Sequence, residues 1–382
     1  MLIDVTRLAD RLLQNRLPTG VDRVSLGYLQ HFYDRASALV RFAGRWVELG
    51  RDDSQKIFRA LLDGDAAGHS VIRRCVARGY VLSWGIRHGG VLLNTGHSGL
   101  DRNDYAAALI RRNLRPVFFL HDLIPVSHPE YCRAGESDRH HVRLETILSV
   151  GKGVIVNSLA TRDELYDFAA ARNLPVPPCA VASLAPARLP APFHGRPEKR
   201  PYFVILGTIE PRKNHSLLLH LWRQLVAEFG DDAPKLVVIG QRGWECEQVA
   251  DLLDRCAALQ GHVIELPRCE DRELSTWLAH AQALLFPSFI EGFGMPLVEA
   301  LMLGVPVIAS DLPVFREIAG EIPLYLDPLD GPGWRRAVLE FVRPDSMARQ
   351  AQIERIESYA PPTWEQHFAV VEDLLKEIDV SG

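Results

Sequence analysis

Short apolar runs rich in Val, Ile and Leu alternate with longer amphipathic stretches through the second half of the chain. Continuous apolar runs predict strands covered on both faces, because a half-exposed strand would alternate apolar and polar residues. The strand candidates are Tyr202–Leu206, Leu236–Gly240, His262–Leu266, Ala283–Pro287, Val305–Ser310 and Pro323–Asp327. The helix candidates between them are Asn214–Phe229, Trp244–Leu259, Asp271–Ala281 and Met295–Leu303. This alternation predicts an α/β domain with a doubly wound parallel sheet.

The first half shows the same alternation with less regular spacing. Its strand candidates are Met1–Val5, Val91–Asn94, Pro116–Leu120, Val154–Asn157 and Ala180–Leu184. Its helix candidates are Val21–Asp34, Asn103–Asn113, Ser137–Val150 and Ala160–Arg172. We therefore predict a second Rossmann-like, doubly wound domain in this half.

A linker separates the two predicted domains. Residues 185–200, APARLPAPFHGRPEKR, are rich in proline and charge and lack periodicity, which is typical of a linker. We place an N-terminal domain at residues 1–188, the linker at 189–200 and a C-terminal domain at 201–360.

A separate helical segment is predicted at residues 361–382. Pro361 and Pro362 interrupt the helical pattern, and a last helix follows from Thr363. Thr363 is a candidate N-cap residue, and Gln366 stands three residues later as in a capping box.

Bulk composition is that of an ordinary globular protein. The 382 residues are 47% hydrophobic and 24% charged, and the six cysteines form no C-x-x-C pair, which fits a reducing compartment. No apolar run approaches the ~20 residues that a membrane span needs, and the N-terminus does not resemble a signal peptide. We therefore expect a cytoplasmic protein.

Charge is unevenly distributed along the chain. The first 190 residues carry 25 Lys and Arg against 19 Asp and Glu, whereas the remainder carries 18 against 29. The basic half predicts either a peripheral surface for an anionic membrane or another polyanion, or a solvated face without a partner. No basic–aromatic stripe suited to nucleic acid is present in the sequence.

The segment LLFPSFIEGFGMPLVEALMLGVPVIASD, residues 284–311, carries the clearest chemistry. A predicted strand is followed by the loop Glu291–Gly294 and by a helix that begins near Met295. Free backbone N–H groups and the helix dipole make such a helix start an anion site. Glu291 and Glu299 flank it and would repel a phosphate, so we expect them to bind hydroxyl groups. The alternative is an ordinary capped helix.

This segment resembles the E-x7-E motif of retaining GT-B glycosyltransferases, the large family usually numbered four. The resemblance implies two Rossmann-like domains that face a cleft, with the C-terminal helix crossing back to the N-terminal domain, and a nucleotide-sugar donor. It implies that Glu291 holds the hydroxyls of the transferred sugar and that Glu299 binds the ribose. Further donor-site residues that it implies are Gly292, Phe293, Gly294, Met295, Pro296 and Leu297.

A second segment, YFVILGTIEPRKNHSLLL at residues 202–219, places Arg212 and Lys213 after a strand that ends at Gly207. Cations at the carboxyl edge of a parallel sheet suit a diphosphate. Relatives hold the donor diphosphate with Arg and Lys on such a loop, although Thr208 stands where most of them carry Arg. The alternative is a basic start of a helix.

A third segment, VVIGQRGWECEQV at residues 237–249, contributes Gly240 and Arg242. Its G-x-R-G-W pattern resembles bacterial mannosyltransferases of surface-polysaccharide synthesis, which favours GDP-mannose as the donor. Arg242 is a donor-site candidate, and simple packing is the alternative. Base contacts are expected near Arg268, at the end of the neighbouring strand.

The first half offers two more candidates. Gly20 precedes an amphipathic helix, where relatives meet the donor phosphates, and a plain turn glycine is the alternative. His121 and Asp122 follow a predicted strand, and relatives place a similar His near the transferred sugar. A structural His is the alternative.

Other site classes find little support. No G-x-S-x-G elbow, no H-E-x-x-H and no promising D-x-D clamp is present in the sequence. We therefore expect no metal and no cofactor, with the donor as a substrate. The resemblance implies a retaining hexosyltransferase acting on a glycan or lipid-linked saccharide. A nucleotide-sugar epimerase or hydrolase and a non-catalytic binding module are the alternatives.

Overall fold

The computed structural model describes residues 1–16, 18–82, 89–187 and 189–380. Residue 188, where the N-terminal domain is predicted to end, lies outside the described residues, as do Leu17 and the last two residues. The chain divides into two compact units. Unit 1 comprises Met1–Ser127, Gly135–Leu184 and Thr363–Gly382, and unit 2 comprises His128–Ala134 and Ala185–Pro362.

Unit 1 is built on one sheet, which has seven strands within the described ranges. The strands are β1 (Leu2–Asp4), β2 (Ser37–Phe42), β3 (Arg45–Glu48), β4 (Val91–Asn94), β5 (Arg115–Leu120), β6 (Gly153–Val156) and β7 (Cys179–Val181). Their order is β3-β2-β1-β4-β5-β6-β7. All neighbours pair in parallel except β2 and β3, which are antiparallel.

The antiparallel edge of this sheet departs from the predicted parallel arrangement, and neither β2 nor β3 was among the predicted strands. The two strands form a hairpin whose turn residues Ala43 and Gly44 have φ of 47° and 74°. A two-residue turn of this kind joins antiparallel neighbours without a crossover helix. β3 is only four residues long and half exposed, so it lacks the continuous apolar run that marks a covered strand.

Helices cover the sheet of unit 1. They are α1 (Thr6–Leu13), α2 (Gly20–His31), α3 (Arg51–Asp63), α4 (Gly68–Leu82), α5 (Tyr105–Arg111), α6 (Ile124–Ser127), α7 (Glu136–Val150) and α8 (Leu159–Ala170). The core between the helices and the sheet is apolar and centres on Phe118, Leu144 and Val154, which are fully buried.

Unit 2 is built on a sheet that has six strands, all parallel, in the described part of the chain. The strands are β8 (Tyr202–Leu206), β9 (Lys235–Ile239), β10 (Val263–Leu266), β11 (Leu284–Phe286), β12 (Val307–Ser310) and β13 (Leu324–Leu326). The helices are α9 (His215–Phe229), α10 (Glu247–Arg255), α11 (Asp271–Ala279), α12 (Met295–Met302), α13 (Pro313–Ala319), α14 (Gly331–Phe341) and α15 (Met347–Ile356). The prediction of two Rossmann-like α/β domains is confirmed.

The last helix, α16 (Trp364–Val380), belongs to unit 1, where it packs against β6 and β7. Its N-terminus is capped as the sequence predicts. Thr363 N donates to Gln366 Oε1 at 3.0 Å, and Gln366 N donates to Thr363 Oγ1 at 3.2 Å. The buried His367 joins it to α2, because its Nε2 accepts from Tyr28 Oη at 3.0 Å.

No described helix is long and apolar enough to cross a membrane.

Candidate active site

The strand order of unit 2 places a topological switch point between β8 and β11. The order is β10-β9-β8-β11-β12-β13, so the chain moves outward from β8 through β9 to β10 and then returns to the other side of β8. The loops that follow β8 and β11 therefore leave the sheet in opposite directions. Open α/β sheets bind ligands at this kind of switch point, at the carboxyl ends of the strands.

The loop after β8 presents two cations at this point. Pro211–Lys213 form a single 3-10 turn, which Asn214 ends in the left-handed region with φ of 56°. The Asn214 amide donates to Pro287 O at 3.2 Å and to Pro328 O at 3.0 Å. The turn that carries Arg212 and Lys213 is thus fixed to the loops after β11 and β13.

Both cations bind Glu291, which follows β11. Arg212 Nη1 lies 2.6 Å from Glu291 Oε2, and Lys213 Nζ lies 2.5 Å from Glu291 Oε1. Ser288 Oγ donates to the same Oε1 at 2.7 Å. The Nε of Arg212 also lies 2.6 Å from Glu210 Oε1. The structure therefore brings together three of the predicted site residues, and it adds Glu210 and Ser288 to them.

The electrostatics of this cluster follow from burial and charge. Burial alone would raise the pKa of Glu291, but the charges of Arg212 and Lys213 outweigh it and lower that pKa to about 2. Burial lowers the pKa of Lys213, and the charge of Glu291 opposes that shift. Burial also raises the pKa of Glu210, against the charge of Arg212. Glu291 is therefore a carboxylate at any ordinary pH.

The loop after β11 is fixed to the loop after β8 through the backbone as well. Phe289 N donates to Arg212 O at 2.8 Å, and Arg212 Nη1 donates to Ile290 O at 3.2 Å. The ring of Phe289 stacks on Tyr131, with centroids 5.3 Å apart and an interplanar angle of 2°. The backbone around Glu291 is thus held from two sides.

The helix start predicted beyond this loop is present. Gly294 precedes α12 with φ of 117°, and a Cβ there would lie 2.7 Å from Phe315 Cε1, so glycine is required. Met295 and Pro296 form the first turn of α12, and Glu299 is buried one turn inside. Gly292 is half-buried, whereas Phe293 and Leu297 are buried.

The ends of β9 and β10 form a separate depression of about 580 Å³, lined by Gln241, Arg242, Glu265, Pro267 and Arg268. Arg242 and Arg268 thus lie together. Arg242 is bound to two carboxylates, Asp254 at 2.6 Å and Glu265 at 2.7 Å. A donor-binding role for either arginine stays a prediction.

Gly240 brings the loops after β8 and β9 close together. Its φ is 153°, and a Cβ on it would lie 2.0 Å from Gly207 O, which no side chain permits. Gly207 itself has φ of 142° and lies beside the Lys213 side chain. The structure therefore gives both glycines a backbone role next to the cations.

In unit 1, His121 lies at the carboxyl end of β5 within a cluster of histidines. Its ring centroid is 5.2 Å from that of His97, which is 5.8 Å from that of His140. Each Nε2 lies within 3.1 Å of a backbone carbonyl oxygen, which can only accept, so each Nε2 carries the hydrogen. Burial lowers the pKa of all three, so the rings are neutral. A neutral His121 keeps Nδ1 as an acceptor, and its predicted catalytic role remains untested.

Gly20 begins α2 in an exposed position, and a Cβ on it would meet no heavy atom within 4 Å. Packing in unit 1 therefore does not require glycine there. Its predicted contact with donor phosphates stays a prediction.

Among the described residues, no group of three or more His, Cys, Asp and Glu side chains is placed to hold a metal ion.

Comparison with known protein families assigns part of unit 2. Residues 191–322 match the family model of glycosyl transferases group 1. The chain carries a group 1 glycosyl transferase domain. That domain contains β8 to β12 and the whole cluster of Arg212, Lys213 and Glu291.

Curated proteins that are similar to this chain include two from Escherichia coli. The chain is 28% identical over 279 residues to the serotype-specific mannosyltransferase WbdA, with 69% of this chain and 33% of that protein covered. It is 33% identical over 164 residues to the O-antigen chain mannosyltransferase B, with 43% of this chain and 42% of that protein covered. The matches thus span a third to two fifths of the curated relatives' lengths.

Solved structures share the fold. Anabaena Alr3699/HepE in complex with UDP and glucose aligns over 100% of this chain and 98% of its own, with a TM-score of 0.68 and 16% identity. At this identity the likeness concerns the fold, which is that of the GT-B glycosyltransferases predicted from the sequence.

Three residues that surround the cluster were not among the predicted site residues. Glu210 is buried, stands two positions before Arg212, and could have been found as its nearest acidic neighbour. Ser288 is fully buried against Glu291 and carries no sequence signal. His215 is buried beside Lys213, its pKa is lowered to about 3 by burial, and neither ring nitrogen has a hydrogen-bond partner among the described residues.

Proposed function

We propose that this chain is a retaining glycosyltransferase that moves a mannosyl residue from GDP-mannose to a glycan or lipid-linked saccharide in surface-polysaccharide synthesis. The observation that carries the proposal is the contact of Arg212 and Lys213 with Glu291 at the switch point of unit 2. A pocket for a sugar diphosphate needs cations for the phosphates and acceptors for the sugar hydroxyls, and this cluster supplies both. The similarity to mannosyltransferases supports mannose as the sugar.

In the proposed mechanism the leaving group is GDP. Arg212, Lys213 and the N-terminus of α12 stabilise the charge that develops on the diphosphate, which is a large catalytic effect when the donors are already in place. Glu299 binds the ribose hydroxyls, and Glu291 orients the sugar. The bond from the anomeric carbon to the phosphate oxygen breaks while the acceptor oxygen attacks the same face, and a donor phosphate oxygen takes the acceptor proton. No metal or cofactor is needed.

The acceptor side is proposed for unit 1. His121 would lie near the transferred sugar, where its neutral ring can accept a hydrogen bond from a hydroxyl group through Nδ1. The arginine excess of the first 190 residues would face an anionic membrane surface if the acceptor is carried on a lipid.

Incubation with GDP-mannose, UDP-glucose and ADP-glucose, each with and without a membrane lipid extract as acceptor, tests this function. We expect release of GDP and formation of a labelled glycan only with GDP-mannose and acceptor. Release of nucleotide without a glycan product would favour a hydrolase. Binding without turnover in the presence of acceptor would favour a non-catalytic module.

A further inference from the structure

Both carboxylate oxygens of Glu291 accept hydrogen bonds from neighbouring side chains. Oε1 receives Lys213 Nζ at 2.5 Å and Ser288 Oγ at 2.7 Å, and Oε2 receives Arg212 Nη1 at 2.6 Å. The Glu291 side chain is 7% exposed and that of Lys213 is 9% exposed. The carboxylate therefore engages hydrogen-bond donors of both cations, which a phosphate group would also use.

The charges of the cluster balance. Two cations, Arg212 and Lys213, face two carboxylates, Glu210 and Glu291. If Glu291 stays in place, a diphosphate binds next to a cluster with no net charge and close to the Glu291 carboxylate. Like charges at such distance repel strongly in a buried setting. Binding of the diphosphate to Lys213 is thus weakened as long as Glu291 stays in place.

Glu210 binds Arg212 independently of Glu291. Its Oε1 binds Nε of Arg212, on the opposite edge of the guanidinium from the bond to Glu291, and Glu210 is 5% exposed. Arg212 also donates to Ile290 O. When Glu291 moves, Arg212 therefore keeps its contacts with the Glu210 carboxylate and the Ile290 carbonyl. The ion pair of Lys213 with Glu291 breaks.

A buried carboxylate that leaves two cations needs new hydrogen-bond donors, because an unpaired buried charge is costly. The hydroxyl groups of a sugar attached to the diphosphate are donors of that kind. A nucleoside diphosphate without a sugar would displace Glu291 and offer it nothing in return.

We propose that Glu291 determines specificity by competing with the donor diphosphate for Lys213 and Arg212, so that a nucleotide binds tightly only when its sugar hydroxyls take up the displaced carboxylate. The inference rests on the proposed function, since it assumes that the diphosphate binds these two cations. It makes the free nucleotide, which is the product of transfer, a weak ligand of the same site.

The test compares the dissociation constants of GDP and GDP-mannose by titration calorimetry, with UDP and UDP-glucose in parallel. The variant is Glu291→Gln, which keeps the shape of the side chain and removes its charge. The matched control is Glu198→Gln, because Glu198 also pairs with a lysine of unit 2, Lys235, at 2.7 Å. Melting temperatures of both variants establish that they are folded.

We expect Glu291→Gln to bind GDP about tenfold or more tightly than the unaltered protein, since close charge pairs of this kind couple by more than a factor of ten. The affinity for GDP-mannose should rise less, so that the preference for the sugar-bearing nucleotide falls. The control should leave both constants unchanged. Unchanged or weaker GDP binding by a folded Glu291→Gln variant would overturn the inference.

A second variant, Ser288→Ala, removes one hydrogen bond that keeps Glu291 on the cations and leaves every charge in place. It should tighten GDP binding by about three- to tenfold, as expected for a bond to a charged group. If Glu291→Gln does not fold, Ser288→Ala tests the inference in its place. Weaker GDP binding by Ser288→Ala would count against competition between Glu291 and the diphosphate. If neither the unaltered protein nor Glu291→Gln binds GDP, GDP-mannose, UDP or UDP-glucose, the proposed function itself fails.

Discussion

Removal of Lys213 gives the most informative perturbation of the proposed donor site. Lys213→Ala deletes a buried cation that lies 2.5 Å from Glu291, and it changes the cluster from neutral to a net charge of −1. A diphosphate bound there loses an attraction of about 4 kcal/mol for a contact near 4 Å at an effective dielectric constant of 20. Loss of one preorganised donor lowers kcat by roughly 10²- to 10³-fold in other enzymes.

We therefore expect kcat/KM for GDP-mannose to fall by about 10²- to 10³-fold in Lys213→Ala. Initial rates of GDP release in the presence of acceptor measure the change. Lys235→Ala serves as the matched control, because Lys235 also pairs with a carboxylate of unit 2 at 2.7 Å and is largely covered, at 15% exposure against 9% for Lys213. The control should retain its rate within about twofold.

The stability of Lys213→Ala must be measured beside its activity. Breaking a buried ion pair costs up to about 3–5 kcal/mol when the remaining charge has no partner. Glu291 keeps Arg212 and Ser288 in the variant, so we expect a smaller loss and a folded protein. A folded Lys213→Ala variant with the rate of Lys235→Ala would refute the assignment of Lys213 to the diphosphate.

Three further predictions concern single positions. Glu299→Ala should reduce the rise in melting temperature that GDP produces, whereas the exposed Glu354→Ala should not, and an equal rise in both would contradict ribose binding. Gly240→Ala should lower the free energy of unfolding in urea by at least about 1–3 kcal/mol, because the positive φ of Gly240 disfavours a side chain and a Cβ there would clash with Gly207 O. Gly195→Ala should not lower it, because a Cβ at Gly195 meets no atom within 4 Å. Burial holds the pKa of His367 at about 4, below its unfolded value, so unfolding takes up a proton and stability falls as pH drops from about 6.5 toward 4. In the unaltered protein this proton uptake should lower the free energy of unfolding by about 2 kcal/mol between pH 7 and pH 5. His367→Gln should reduce that loss, measured from the urea midpoints at the two pH values. An equal loss in the variant would contradict a buried, neutral His367 ring.

The sequence predicted the strands of unit 2 well because most of them are continuous apolar runs; β10, which contains Glu265, is an exception. Tyr202–Leu206 was predicted with its observed bounds, and the other five were placed within two residues. A parallel strand buried on both faces carries its own signal in composition alone.

The region between residues 37 and 82 was not predicted, for a physical reason. β2 and β3 form an edge hairpin, and β3 has only four residues, of which one is buried. A short edge strand forms because it pairs with its neighbouring strand, and its own residues show no pattern that predicts it.

The cluster around Glu291 was predicted only in part. Resemblance to a known motif identified Arg212, Lys213 and Glu291, but their direct pairing depends on how loops almost 80 residues apart meet. Ser288 and Glu210 each contact a residue of their own loop, Glu291 and Arg212, through side-chain conformations that the sequence does not show. The pairing of Arg212 and Lys213 with Glu291 depends on the strand order, which brings β8 beside β11.

A crystal structure with GDP-mannose bound tests the central claim most directly. We predict that the diphosphate touches Lys213 Nζ and the N-terminus of α12, and that the carboxylate of Glu291 has left Lys213 for the hydroxyls of the mannose. Nucleotide density at another surface, with the ion pair of Lys213 and Glu291 intact, would contradict the account.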